Sequence, residues 1–220
     1  MSKFSFLQTH KAANGAIAVI AINHLIGVAG LNMHSYQETF AKISWLNLLI
    51  SFLLVLLFHQ RFSVGSVFAL LFAFTLGMAV EAVGVATGFP FGTYTYSPLF
   101  GLSVLKVPLI IGINWALLSY CTAHVVKKIS GKVWLRVFTA SLAMMLLDLL
   151  LEPFAIRHGF WVWDAVFPPI QNFASWFAIS LPIQWLMSKY VKESTNPLAI
   201  PYLVILVLFL ITDYLLSALI

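Results

Sequence analysis

Long apolar runs separated by short polar connections make up most of the chain. Seven of these runs approach or reach the roughly 20 residues that a helix needs to cross a bilayer. They cover residues 12–30, 43–59, 64–87, 105–127, 133–152, 172–190 and 198–219. Asn14, Asn23 and His24 dilute the first, and the Glu152-Pro153 step is expected to stop the fifth, because proline breaks a helix interior. The pattern predicts an all-α fold, a polytopic transmembrane helical bundle of about seven spans forming one domain over residues 1–220. The first apolar run ends without a small-residue cleavage site, so no removable signal peptide is expected.

Composition agrees with this pattern. Hydrophobic residues are 61% of the chain, charged residues only 9%, and the mean hydropathy is +0.98. Soluble domains carry about a quarter charged residues, and a soluble fold of this length lacks the interior to hide so much apolar surface. The net charge of +5 would suggest nucleic acid in a soluble protein. Here the basic residues sit in short connections and act as orientation signals, so no nucleic-acid partner is expected. With the N-terminus in the cytoplasm, Lys3, Lys11, Arg61, Lys127, Lys128, Lys132, Arg136, Lys189 and Lys192 fall inside, and Lys42, Lys106 and Arg157 outside. The positive-inside rule therefore predicts N-terminus in and C-terminus out. The single cysteine, Cys121, excludes an intramolecular disulfide and a cysteine-based metal cluster.

Two outer connections, residues 88–104 and 153–171, are rich in aromatics, glycine and proline, and the first carries no charge. They are expected to fold back over the outer mouth of the bundle or to lie at the interface. Taken singly, Tyr94, Tyr96, Trp161 and Trp163 also fit an aromatic belt at headgroup level.

Against this background several polar residues stand out. Glu81, Asn114, Asp148, Glu152, Asn172, Asp213, Asn23 and His24 come from six spans and all fall in the outer half. Asp148 and Glu152 are four residues apart and share a helix face. Any one of these residues alone reads as a contact between helices. The common depth favours one polar pocket open toward the outer leaflet, because ionisable groups in a span face the bundle interior or a wet cavity. Desolvation favours the protonated form of a carboxyl. Two adjacent carboxyls divide their protons unequally, one acting as donor and the other as acceptor. Such a pocket suits general acid–base chemistry without a metal.

Other chemistries lack their residues. Span 7 has no lysine for a retinal Schiff base. No histidine-rich boxes are present for a di-iron site, and no paired aspartate-rich motifs for magnesium diphosphate. No metal and no cofactor are expected.

Glu81, Gly84, Thr87, Gly88, Pro90, Phe91, Gly92, Tyr94 and Tyr96 form an E-x-x-G-x-x-T-G-x-P-F-G-x-Y-x-Y run. Val107-Pro108, Trp115, Asp148, Glu152-Pro153, Trp161, Trp163, Asn172, Phe173 and Trp176 follow in order. This order resembles the membrane-bound carotenoid hydratases, among them the γ-carotene and lycopene 1′,2′-hydratases and the bisanhydrobacterioruberin hydratases. The resemblance covers roughly residues 75–185. It implies addition of water to the terminal C=C of an acyclic carotenoid end group, giving a tertiary alcohol. The implied partners are a carotenoid from the bilayer and water, with a homo-oligomer or association with other pathway enzymes possible. The implied location is a bacterial or archaeal cytoplasmic membrane.

Chemistry assigns the roles. Protonation of the less substituted alkene carbon gives a tertiary cation, which water captures. Asp148 or Glu81 is the expected proton donor, with Glu152 and Asn172 in support. Phe91, Tyr94, Tyr96, Trp115, Trp161, Trp163 and Trp176 are expected to line the substrate slot, where aromatic faces stabilise a cation. Asn114 or Asn172 would orient water. The apolar loops 89–96 and 160–167 are expected to form that slot. The rival readings are a proton-coupled transporter or channel, for which membrane carboxylates also serve, and a non-catalytic carotenoid- or lipid-binding protein.

Overall fold

The protein is described by a computed structural model covering residues 10–127, 131–191 and 195–218. Lys3, Lys128, Lys192 and Leu219, used above for orientation and for the end of the last span, lie outside the described residues. Seven long helices follow one another: α1 His10–Asn32, α2 Gln37–Leu57, α3 Val64–Thr87, α4 Leu109–Val126, α5 Val133–Arg157, α6 Ile170–Tyr190 and α7 Ala199–Ser217. All except α6 are long and apolar enough to cross a membrane. α6 is more polar because it buries Asn172, Ser180 and Gln184 toward its neighbours.

The outer surface carries large exposed aliphatics such as Leu25, Leu53, Leu71 and Leu208. That is the arrangement lipid requires, with every backbone polar group satisfied inside a helix. α4 is the centre. Its apolar window is 83% buried, against 17–33% for the other five apolar helices, and α2, α3, α5, α6 and α7 all pack on it. The most extensive pairings are α5 with α6 and α3 with α4. They bring Asp148 and Glu152 to Asn172, and Glu81 to Trp115. On α3, Gly77 lies against Trp115 and Gly84 against Phe91 and Tyr94. Small residues let transmembrane helices approach this closely.

Several predicted boundaries move. α5 does not stop at Glu152-Pro153 but continues to Arg157 with Pro153 inside it. Proline removes one N–H, and a packed membrane helix tolerates that loss. Glu152 is thereby held on an intact helix. α2 begins at Gln37 rather than at residue 43. α4 begins at Leu109 rather than at 105, because Ser103–Val104 (β2) pairs with Val107–Pro108 (β3). Leu105 and Lys106, both at positive φ (52° and 66°), form the turn between them, as two-residue hairpins require.

The two aromatic connections meet. Tyr94–Tyr96 (β1) pairs antiparallel with Trp161–Trp163 (β4), in the register Tyr94↔Trp163, Thr95↔Val162 and Tyr96↔Trp161. Strand side chains alternate faces. Tyr94, Tyr96, Trp161 and Trp163 therefore point one way, while Thr95 and Val162 point outward and are exposed. Gly92, just before β1, has φ +117°, and an added Cβ there would lie 2.6 Å from Pro169. Only glycine fits that turn.

Candidate functional site: a carboxyl pocket under an aromatic ribbon

The inward face of the β1–β4 ribbon supplies hydrogen-bond donors. Tyr94 Oη and Tyr96 Oη donate to Glu81 Oε2 at 2.5 and 2.7 Å, and Trp115 Nε1 donates to Glu81 Oε1 at 3.0 Å. Trp161 Nε1 and Trp163 Nε1 both donate to Glu152 Oε2 at 2.9 Å. Asn172 Nδ2 bridges the remaining carboxyls, donating to Asp148 Oδ2 at 2.7 Å and to Glu152 Oε1 at 3.3 Å. Glu81, Asp148 and Glu152 are each 4% exposed or less. Among the described residues none of the three pairs with a lysine or arginine: the ion pairs of that kind are Glu38 with Lys42 and Asp213 with Arg157. Neutral donors alone hold the three acids.

The enclosed space is about 30 Å³. Glu81, Asp148, Glu152, Asn172, Phe91, Tyr94, Tyr96, Asn114, Trp161, Trp163 and Trp176 all line it. Trp115 backs the pocket, stacked on Trp176 at 3.9 Å between ring centroids. The residues singled out in the sequence thus come together. Their aromatic members do so mainly through polar edges, as N–H and O–H donors to carboxylates. Burial first, and then the charge of Glu81, push the Tyr94 and Tyr96 phenols well above the ordinary tyrosine range. Both therefore remain donors at any working pH. Among the described residues no group of His, Cys, Asp and Glu side chains is arranged to hold a metal ion.

Three of the polar residues grouped by depth lie elsewhere. Asn23 and His24 line a separate apolar cavity, where His24 Nδ1 bonds to its own helix at Ile20 O, 2.8 Å away. Asp213 belongs to a second network that clamps α1, α5 and α7. Asn32 Nδ2 donates to Asp213 Oδ1 at 2.7 Å, and His158 Nε2 lies 2.9 Å from the same oxygen. Arg157 contacts Asp213 Oδ2 at 3.3 Å and Asn32 Oδ1 at 2.6 Å. Depth along a helix is legible from hydropathy, whereas the direction a residue faces around the bundle depends on packing. The ribbon pairing was also missed. Its signal was the period-2 alternation in Tyr94-Thr-Tyr96 and Trp161-Val-Trp163.

Gly84 gives a test of the Glu81 site. An added Cβ would sit 2.8 Å from the Phe91 ring and 3.0 Å from Tyr94 Oη. Gly84→Ala is expected to displace Tyr94 from Glu81 and to cost about 1–3 kcal/mol through overpacking. Thermal unfolding in detergent reads this directly, and an unchanged midpoint would contradict the close approach.

Fold and site define a multi-pass membrane protein with a buried carboxyl pocket roofed by aromatic donors. The family described as "Carotenoid biosynthesis protein" matches residues 43–220, and the chain belongs to it. It is also similar to the bisanhydrobacterioruberin hydratase of Haloarcula japonica, 32% identical over 110 residues. That match covers 44% of this chain and 36% of the relative's length. No solved structure matches the chain.

Proposed function

We propose that this protein is a cofactor-independent carotenoid hydratase, a hydro-lyase acting on the terminal C=C of an acyclic carotenoid end group. The observation that carries this reading is the grouping of Asp148, Glu152 and Glu81 in one pocket, with Asn172 bonded to two of the acids. The carotenoid biosynthesis family and the hydratase name of the Haloarcula japonica relative support the same reading.

The hydrogen bonds divide the three acids. Glu81 accepts from three donors and Glu152 from two indoles and an amide. Asp148 accepts from Asn172 through Oδ2, and its Oδ1 has no hydrogen-bond partner among the described residues. Asp148 is therefore the proton donor. Its proton goes to the less substituted alkene carbon, and the π pair forms the new C–H bond. The adjacent carbon becomes a tertiary cation and Asp148 becomes a carboxylate, which Asn172 stabilises in place. Water bonds to the cation and its extra proton returns to the Asp148 carboxylate, directly or by way of Glu152, which restores the acid. The sum is one water added, with no oxidant or reductant. The Trp161 ring, which also lines the adjoining apolar cavity, stabilises the cation as it forms. The distribution of lysine and arginine supports N-terminus in, which puts the pocket in the outer half of the membrane.

The test is expression in a lycopene- or γ-carotene-producing host. Carotenoids that gain the mass of one water per reacted end are expected. Unchanged pigments in cells that contain the folded protein would sink the proposal.

A further inference from the structure

A larger cavity of about 330 Å³ lies beside the carboxyl pocket. Its walls come from α1, α2, α4, α5 and α7 and are mostly aliphatic and aromatic. The two cavities share Ile111, Asn114, Leu151 and Trp161 as lining residues, so they adjoin along these four side chains. Four other lining residues are exposed on the surface of the bundle: Ile26 on α1 (53%) and Ile43, Leu46 and Ile50 on α2 (44, 38 and 39%). Both helices are long and apolar enough to cross a membrane. The chamber thus reaches lipid between α1 and α2.

The two volumes assign different contents. A water needs roughly 10–15 Å³ on this measure. The carboxyl pocket, at about 30 Å³, admits a water or two but no branched hydrocarbon end. The chamber falls within the range of small-molecule sites, about 300–1,000 Å³. It is too small for a whole carotenoid, and its opening lets the remainder of a long polyene stay in the bilayer.

We propose that this apolar chamber seats the acyclic isoprenoid end group, entered sideways from the lipid between α1 and α2, and that the carboxyl pocket behind it holds the reacting water. The identity of the reacting bond rests on the hydratase reading; occupation of the chamber does not. None of the three acids lines the chamber, so Asp148 reaches the terminal alkene carbon only between the side chains of the shared wall. There Asn114 presents its amide, and Trp161 offers its ring while its N–H is committed to Glu152. Of the loops 89–96 and 160–167, Phe160 and Trp161 line the chamber, whereas Phe89, Val166 and Phe167 point outward and are 69, 86 and 75% exposed. Much of the chamber wall comes from α1, α2 and α7, outside the motif-bearing residues 75–185. Selectivity for one end group over another is set by those three helices.

Gly27 offers a clean test. A Cβ added there meets nothing closer than Phe209 at 3.7 Å and Asn47 at 4.0 Å. Gly27→Leu therefore fills the chamber without a backbone clash, and Leu206→Trp fills it independently from α7. Leu149→Phe, on the exposed face of α5, is the control. Each full-length variant is made in lycopene-producing cells and purified in detergent. Bound lycopene is read by visible absorbance and hydrated product by mass. Both filling variants are expected to lose at least about tenfold of pigment and product together, and Leu149→Phe neither. Folded filling variants that keep pigment at the wild-type level overturn the chamber, even if the wild type makes product. Wild-type protein that binds lycopene without ever hydrating it, with binding lost in Gly27→Leu, supports the chamber and sinks the hydratase reading. Wild-type protein that neither binds nor converts lycopene overturns both.

Discussion

Asp148→Asn is expected to lower formation of the hydrated carotenoid by about a hundredfold to ten-thousandfold, the span typical of removing a general acid. The substitution keeps the shape of the side chain. Its amide oxygen can still accept from Asn172 Nδ2, which now donates to Asp148 Oδ2 at 2.7 Å. Only the transferable proton is lost. The unfolding midpoint should therefore change little, and the variant should retain unconverted pigment. Glu152→Gln makes the contrast. Its amide oxygen can still accept from Trp161 and Trp163, but its NH2 faces Asn172 Nδ2, donor against donor. A smaller loss of product, about tenfold, with some loss of stability is expected there. Full activity in Asp148→Asn, measured as product mass per folded protein, would remove the acid from Asp148.

Asp213→Ala should act in the opposite way, with a large cost in stability and little effect on the chemistry. Asp213 is the common acceptor for Asn32, His158 and Arg157, and it joins the ends of α1, α5 and α7. Truncation leaves three donors around a small void. Removing one partner of a buried pair costs about 3–5 kcal/mol. The Arg157 side chain is 29% exposed, so water screens part of this, and about 2–4 kcal/mol remains. For a chain of this length that corresponds to a drop of about 5–15 °C in the unfolding midpoint in detergent. Hydrated product per folded molecule should persist, because Asp213 does not line the carboxyl pocket. A stable but inactive Asp213→Ala protein would return Asp213 to the reaction centre.

The two acids also show what is legible in a single sequence. Asp148 and Asp213 are both carboxylates in apolar helices at similar depth, and hydropathy treats them alike. Asp148 faces α6, where Asn172 meets it, while Asp213 faces the ends of α1 and α5, where a cation and a histidine meet it. That difference is one of rotation about the helix axis. It is set by how seven helices pack, which no local pattern encodes.

The sequence by itself determined the membrane setting and the helical class. Apolar runs about 20 residues long with so few charges are stable only as helices in lipid, where the backbone must satisfy its own hydrogen bonds. It also determined which acids, amides and aromatics were candidates, since polar groups in such helices are too costly to place without partners. Tertiary structure decided the rest. Pairing β1 with β4 across the 64 residues between Tyr96 and Trp161 aimed the ribbon's phenol and indole donors at Glu81 and Glu152. Packing of α2 and α7 on α4, with α1 laid on α2 and α7, left the apolar chamber beside the acids. Long-range strand pairing and the facing of each helix depend on contacts between residues distant in the chain. Periodicity reports only how a segment meets its surroundings, not which segment it meets.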